Sequence, residues 1–191
     1  MSGGLEFNAV ANQAPNPAPD RNPVDPMPPM QHNASNNDAE RERMCATLER
    51  KILAEIPLAR TMQLSVRGYD GVRLTLSAAL APNINDKGCA FGGSLVSLMT
   101  LAAWGLIKLA LDASGVDCDI YVKDSRIRYL APVWQDFDAI AELAEDQSFA
   151  AMFDAIDARG KAGVETRCHV PLADRSKAAM LVATFVAIVR S

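Results

Sequence analysis

The chain has 191 residues, 49% hydrophobic and 22% charged, which fits one globular domain with a sizeable core. A net charge of −4 offers no basic excess for nucleic acid or an anionic membrane surface, so neither is an expected partner. Two histidines and four widely spaced cysteines without a CxxC pair argue against a metal site and read as reduced thiols of a cytoplasmic protein.

The N-terminus has neither a basic start nor an apolar run, so no signal peptide is expected. Residues 8–38 hold seven asparagines and seven of the eleven prolines with few large apolar groups. Such composition cannot offset its ordering entropy and predicts a disordered tail over 1–38, with the folded domain over 39–191. His32 falls in that tail and is a poor catalytic candidate.

Order is expected to begin near Asn37, which with Glu40 forms a variant capping box. Met44, Leu48, Ile52 and Ile56 recur every four residues, predicting an amphipathic helix that Pro57 ends. In "VRLTLSAAL", Val72, Leu74, Leu76, Ala78 and Leu80 alternate with Arg73, Thr75 and Ser77, the pattern of a half-buried strand. Asp70-Gly71 before it, after "LSVRGY", reads as a hairpin turn.

Pro82 to Gly93 reads as loop. The apolar stretch Leu95–Leu111 contains Ser97, Thr100, Gly105 and Lys108 and falls short of the roughly 20 apolar residues of a membrane span. It predicts a helix buried on most sides over about Ser94–Asp112. "CDIYVKDSRIRYLAPV" reads as a long strand whose apolar phase shifts, from Ile120 and Val122 to Ile127 and Tyr129, marking a bulge or a change of environment mid-strand. "FDAIAELA" is a further strand. Phe149, Met152, Phe153 and Ile156 mark a short helix stopped at Gly160, and "GVETRCHV" and "AAMLVATFVAIV" close the chain as strands.

This order predicts an α+β fold, a mostly antiparallel sheet wrapped around one long central helix, with an added N-terminal helix. Its open edges would be covered by a homodimer or a dimer of dimers.

Two segments carry a resemblance. Asn85-Asp86-Lys87-Gly88-Cys89-Ala90-Phe91-Gly92-Gly93 resembles the N-x-x-G-x-x-H-G-G pattern that opens the central helix of hotdog-fold thioester-processing enzymes. "RIRYLAPVWQDFDAIAEL" is similar to the strand that follows that helix. With "IPLARTMQLSV" and "DCDIYVKDSRIRYLAPVW", residues 40 to 190 resemble the YiiD C-terminal type, a branch of thioesterases that includes malonyl-acyl carrier protein decarboxylases. The resemblance implies a hotdog fold, a substrate carried on the phosphopantetheine of acyl carrier protein or coenzyme A, and no further cofactor.

Two positions depart from the thioesterase pattern. Phe91 stands where many relatives have histidine, and Thr100 where an acid often serves as base or nucleophile. What survives is Asn85 as an amide donor and the Gly92 and Gly93 backbone at a helix N-terminus, a site for developing negative charge. Such donors are worth roughly 100- to 1,000-fold each. That equipment fits malonyl-carrier decarboxylation, giving the acetyl-carrier of fatty-acid initiation through an enolate, better than hydrolysis. The alternatives are an acyl-CoA or acyl-carrier thioesterase, with Thr100 orienting water, and a non-catalytic acyl-thioester binding module. Asn85, Gly92 and Thr100 are the catalytic candidates; Asn83, Phe91, Gly93, Ser94, Arg126 and Arg128 are the substrate-binding ones.

Competing structural roles are open for these residues. Asn85 beside glycine could make an Asx-turn, and Asn83 is the rival donor. Gly92-Gly93 could serve close packing, Thr100 could be a tolerated small residue, Asp86 a turn residue and Phe91 a packed wall. Cys89 has no evident base, and His169 reads as structural. Arg126 and Arg128, with Arg159 and Lys161, could form a local basic patch for the carrier, or line a solvated strand face.

Overall fold

A computed structural model describes residues 32–190, with side chains from residue 37. The tail expected over 1–38 lies, through residue 31, outside the described residues. Helix α1 spans His32–Glu55, so Asn37 and Glu40 stand inside it rather than as its capping pair. The four-residue apolar period holds: Leu48 and Ile52 are buried, with Met44 and Ile56 packed beside them. Pro57 both ends α1 and opens a short helix, α2 (Pro57–Thr61), which the sequence reading did not anticipate. Proline is suited to a first helical turn, where its missing N–H is not needed.

Strands β1 (Leu64–Tyr69) and β2 (Leu74–Ala78) form the expected hairpin. Its turn is set by Gly71 at φ 98° and by Asp70, whose carboxylate accepts the Val72 and Arg73 N–H groups at 2.8 and 2.6 Å. Those bonds favour the charged form and lower the Asp70 pKa. The strand is shorter than the apolar alternation allows, because Val72 lies in the exposed turn.

Helix α3 (Gly92–Ser114) is long and apolar enough to cross a bilayer by composition, yet ten of its residues are buried within this domain. It lies against β2 and against the strands Phe137–Leu143, Lys161–Pro171 and Lys177–Val189. Leu98, Leu106 and Ile107 are fully buried, and each such side chain contributes roughly 1.5–3 kcal/mol by leaving water. At Gly105 the helix comes close to elements on both sides: a Cβ there would stand 2.8 Å from a Leu74 methyl and 3.2 Å from one of Leu48.

The remaining elements are β3 (Cys118–Tyr129), β4 (Phe137–Leu143), α4 (Phe149–Arg159), β5 (Lys161–Pro171) and β6 (Lys177–Val189). The Ser148 hydroxyl caps α4, and Gly160 at φ 67° ends it. All six strands form one antiparallel sheet in the order β1-β2-β4-β5-β6-β3. The register against β6 skips Lys123, between Val122 and Asp124, and this bulge is the physical cause of the apolar phase shift.

The two sheet edges differ. At β1 the helix α1 packs alongside, and Glu49 accepts the Val66 N–H at 2.6 Å. At β3 a twelve-residue edge exposes Tyr121, Val122 and Tyr129.

Candidate active site

The loop before α3 is folded on itself. The Asn83 carbonyl accepts the Phe91 N–H at 2.7 Å, Ile84 bridges Ala90, and the Asn85 N–H donates to the Cys89 carbonyl at 2.8 Å. Gly88, at φ 82°, closes this turn, with its N–H on the Asn85 carbonyl. The two asparagines do different work. Asn83 is 3% exposed, and its amide donates to the Met62 and Ala79 carbonyls at 2.9 and 2.7 Å. Both its N–H bonds are thereby used, so neither is free to donate to a substrate; the amide anchors the loop to the chain ahead of β1 and to the end of β2.

Asn85 is half-buried. Its side-chain oxygen accepts the Lys87 N–H at 2.9 Å, the Asx-turn, and its amide nitrogen lies 3.2 Å from the Cys89 sulfur. A thiol sulfur is a weak acceptor, and among the described residues the amide meets no other. Cys89 is buried with no imidazole on it: His169 on β5 pairs with Met180 and Ile140 on the opposite face of the sheet from α3. Asp86 is exposed and paired with Lys87.

The loop delivers Phe91, in an extended conformation, as the residue that caps α3. The Phe91 carbonyl accepts the Ser94 and Leu95 N–H groups at 3.0 and 3.1 Å. The N–H groups of Gly92 and Gly93 meet no acceptor among the described residues, as the first turn of a helix dictates. They stand at the positive end of a 23-residue helix dipole.

Two aromatic rings frame this pair. The Tyr129 hydroxyl donates to the Gly92 carbonyl at 3.0 Å, and a Cβ on Gly92 would stand 3.3 Å from the Tyr129 ring. The Phe91 ring, 54% exposed, lies over Gly93. Leu130, Trp134 and Ile84 are also exposed, and the segment after β3 that bears the first two is tied to the loop by the Ala90 N–H on the Val133 carbonyl.

Farther along α3, Ser97 donates to the Gly93 carbonyl at 2.8 Å. Ser94 is half-buried in the first turn, and Thr100 is half-buried on the same side as Gly93 and Ser97. At 1.5 Å per residue, Thr100 lies roughly 10 Å along the axis from Gly93. No carboxylate occurs from Gly92 to Leu111, and Asp112 is paired with Lys108.

The arginines are elsewhere. Arg126 and Arg128 pair with Val182 and Met180, which face away from α3, whereas Tyr129 pairs with Ala179 on the α3 side. Structure therefore does not bring Arg126 and Arg128 to the glycine pair. Nor do they form a patch with Arg159 and Lys161. Lys161 pairs with Ile188, six residues along β6 from Val182, a separation of roughly 20 Å at ~3.4 Å per residue. Tyr129 and Ser97 are the residues that reading the sequence missed; Tyr129 reaches Gly92 across 37 positions, and only the register of β3 reveals it. Among the described residues, no group of three or more His, Cys, Asp or Glu could hold a metal ion.

Comparison with known proteins matches residues 45–189 to the family described as "Putative thioesterase (yiiD_Cterm)". A putative thioesterase from Shewanella oneidensis is similar at 30% identity and a TM-score of 0.69, over 77% of this chain and 99% of that one. A protein of unknown function from Chlorobaculum tepidum matches at 26% identity and a TM-score of 0.73, over 78% of this chain and 96% of that one. A probable thioesterase from Pseudomonas aeruginosa, 19% identical, shares the fold with a TM-score of 0.65, over 78% of this chain and 95% of that one.

Proposed function

The chain belongs to the putative thioesterase (yiiD C-terminal) family of hotdog-fold proteins, and from that premise we propose that it decarboxylates malonyl-acyl carrier protein to acetyl-acyl carrier protein. The observation that carries this reading is a pair of acceptor-free N–H groups, at Gly92 and Gly93, on a helix with no carboxylate before Asp112.

The reaction asks for what these residues offer. The bond between the malonyl carboxylate and its methylene carbon breaks, carbon dioxide leaves, and the electron pair moves into an enolate whose charge rests on the thioester oxygen. Hydrogen bonds aimed at that oxygen lower the barrier, each worth roughly 100- to 1,000-fold. Gly92 and Gly93 supply two, and the Asn85 amide, held only by a sulfur, supplies a third. The methylene carbon then takes a proton from water, giving the acetyl thioester. No nucleophile or general base enters.

The substrate is carried on the phosphopantetheine of acyl carrier protein or of coenzyme A. The protein acts in the cytoplasm as a homodimer joined along the exposed β3 edges, or as a dimer of dimers. A second copy's α3 lying alongside would offer its Thr100 to these amides, which the same chain's Thr100 is too far along the helix to reach. Arg126 and Arg128, on the outer face, would meet the carrier or nucleotide rather than the acyl group.

A second reading is hydrolysis, favoured by one observation: the Thr100 hydroxyl meets no acceptor among the described residues and could hold a water. The two readings separate on stoichiometry. With malonyl-carrier as substrate, carbon dioxide release in excess of free thiol supports decarboxylation, and free malonate with an equal amount of thiol supports hydrolysis instead.

A further inference from the structure

We infer that Tyr129 is a positioning residue, whose hydroxyl fixes the Gly92–Gly93 peptide so that the Gly93 N–H is aimed at the thioester oxygen. The inference rests on the proposed thioester chemistry and adds to it a residue from another element. In a trans peptide the C=O and N–H are rigidly coplanar and point opposite ways, so holding the oxygen sets the hydrogen. The Tyr129 hydroxyl holds that oxygen, the Gly92 carbonyl, at 3.0 Å.

The placement answers a local weakness. Two consecutive glycines have the greatest backbone freedom of any pair, and they occupy a first helical turn whose N–H groups have no partner. The donors of the site would thus stand on the most compliant part of α3. Tyr129 comes from the sheet, paired with Ala179 of β6, and brings a rigid anchor to that turn. Its ring lies against the Gly92 Cα, where a Cβ would be 3.3 Å away, so the glycine is held by contact as well as by the bond. On the next peptide Ser97 does the same from within the helix, donating to the Gly93 carbonyl at 2.8 Å. Two successive carbonyls of the turn therefore each receive a side-chain hydroxyl.

Tyr129→Phe tests this, because it keeps the ring contact and removes only the hydroxyl. The full chain would be assayed on malonyl-acyl carrier protein, with the Gly92 and Gly93 amide resonances recorded by NMR. Displacement of reacting groups by an ångström costs about 100-fold; for partial loss of alignment kcat should fall roughly tenfold with KM within about twofold. The Gly92 and Gly93 amides should shift while distant amides do not. An active wild type with a variant of equal kcat, or a variant changed in KM alone, would overturn the role of Tyr129 and leave the thioester reading standing. A wild type inert on malonyl- and acyl-carriers alike would overturn that reading, and the inference with it.

Discussion

The ring of Phe91 lies across Gly93 so closely that a Cβ on the glycine would stand within 2.9 Å of Cδ1 and Cζ, and closer still to Cε1. Phe91 thus occupies the space that any side chain at position 93 would claim. The ring therefore forms one wall beside the first turn of α3.

Gly93→Ala should separate stability from function. The Phe91 ring is half in solvent and can swing aside, and alanine favours a helix over glycine by about 1 kcal/mol. Stability should therefore change by less than about 1 kcal/mol, read by thermal unfolding. Turnover should fall by roughly 10- to 100-fold, because the methyl and the displaced ring crowd the exposed N–H groups. A Gly93→Ala protein with unaltered kcat would show that the ligand does not approach these amides.

The two asparagines of "NIN" should fail in opposite ways. Asn83→Ala leaves the Met62 and Ala79 carbonyls without their donor and should cost about 1–3 kcal/mol in denaturant unfolding. Asn85→Ala removes an Asx-turn and a weak bond to sulfur, so it should cost under about 1 kcal/mol yet reduce kcat by roughly 100-fold. Full activity in Asn85→Ala would remove it from the catalytic set.

His169 predicts a pH dependence of stability. Burial lowers its pKa below the usual 6.5, helped by the nearby positive charges of Lys177 and Arg73 and opposed by Glu142. The unfolded chain then binds this proton more readily than the folded one, so stability is greatest above the unfolded pKa and declines as pH falls below it. Between pH 7 and 5 the wild type should lose Tm, and His169→Gln should lose less over that window. Equal losses in both proteins would show that His169 is not the group responsible.

Periodicity made the order of elements legible. The four-residue spacing of Met44, Leu48 and Ile52, the alternation around Leu74 and Leu76, and the apolar run of α3 each matched what formed. The apolar phase shift within β3 was visible as a bulge or a change of environment; the register places the unpaired residue at Lys123, which flips every later side chain to the other face. Helix α2 was not visible, since a five-residue helix has too few positions to show a period and Pro57 reads equally as a stop or a start. Within the candidate site, the glycine pair and Asn85 stood out through their spacing. The roles of Asn83 and Tyr129 did not, because each depends on a partner distant in sequence that local spacing does not encode: Met62, 21 residues away, for one, and Gly92, 37 residues away, for the other. Arg126 and Arg128 pointed toward a basic patch in the sequence, and the strand register turned them to the outer face instead.

Decarboxylation, as proposed for this site, requires enolate stabilisation without hydrolysis. Its most direct test is the intact mass of malonyl-acyl carrier protein before and after incubation with the protein. Decarboxylation should convert it to acetyl-carrier, lighter by one carbon dioxide, with the phosphopantetheine thioester still intact. Unloaded carrier with free malonate would contradict it.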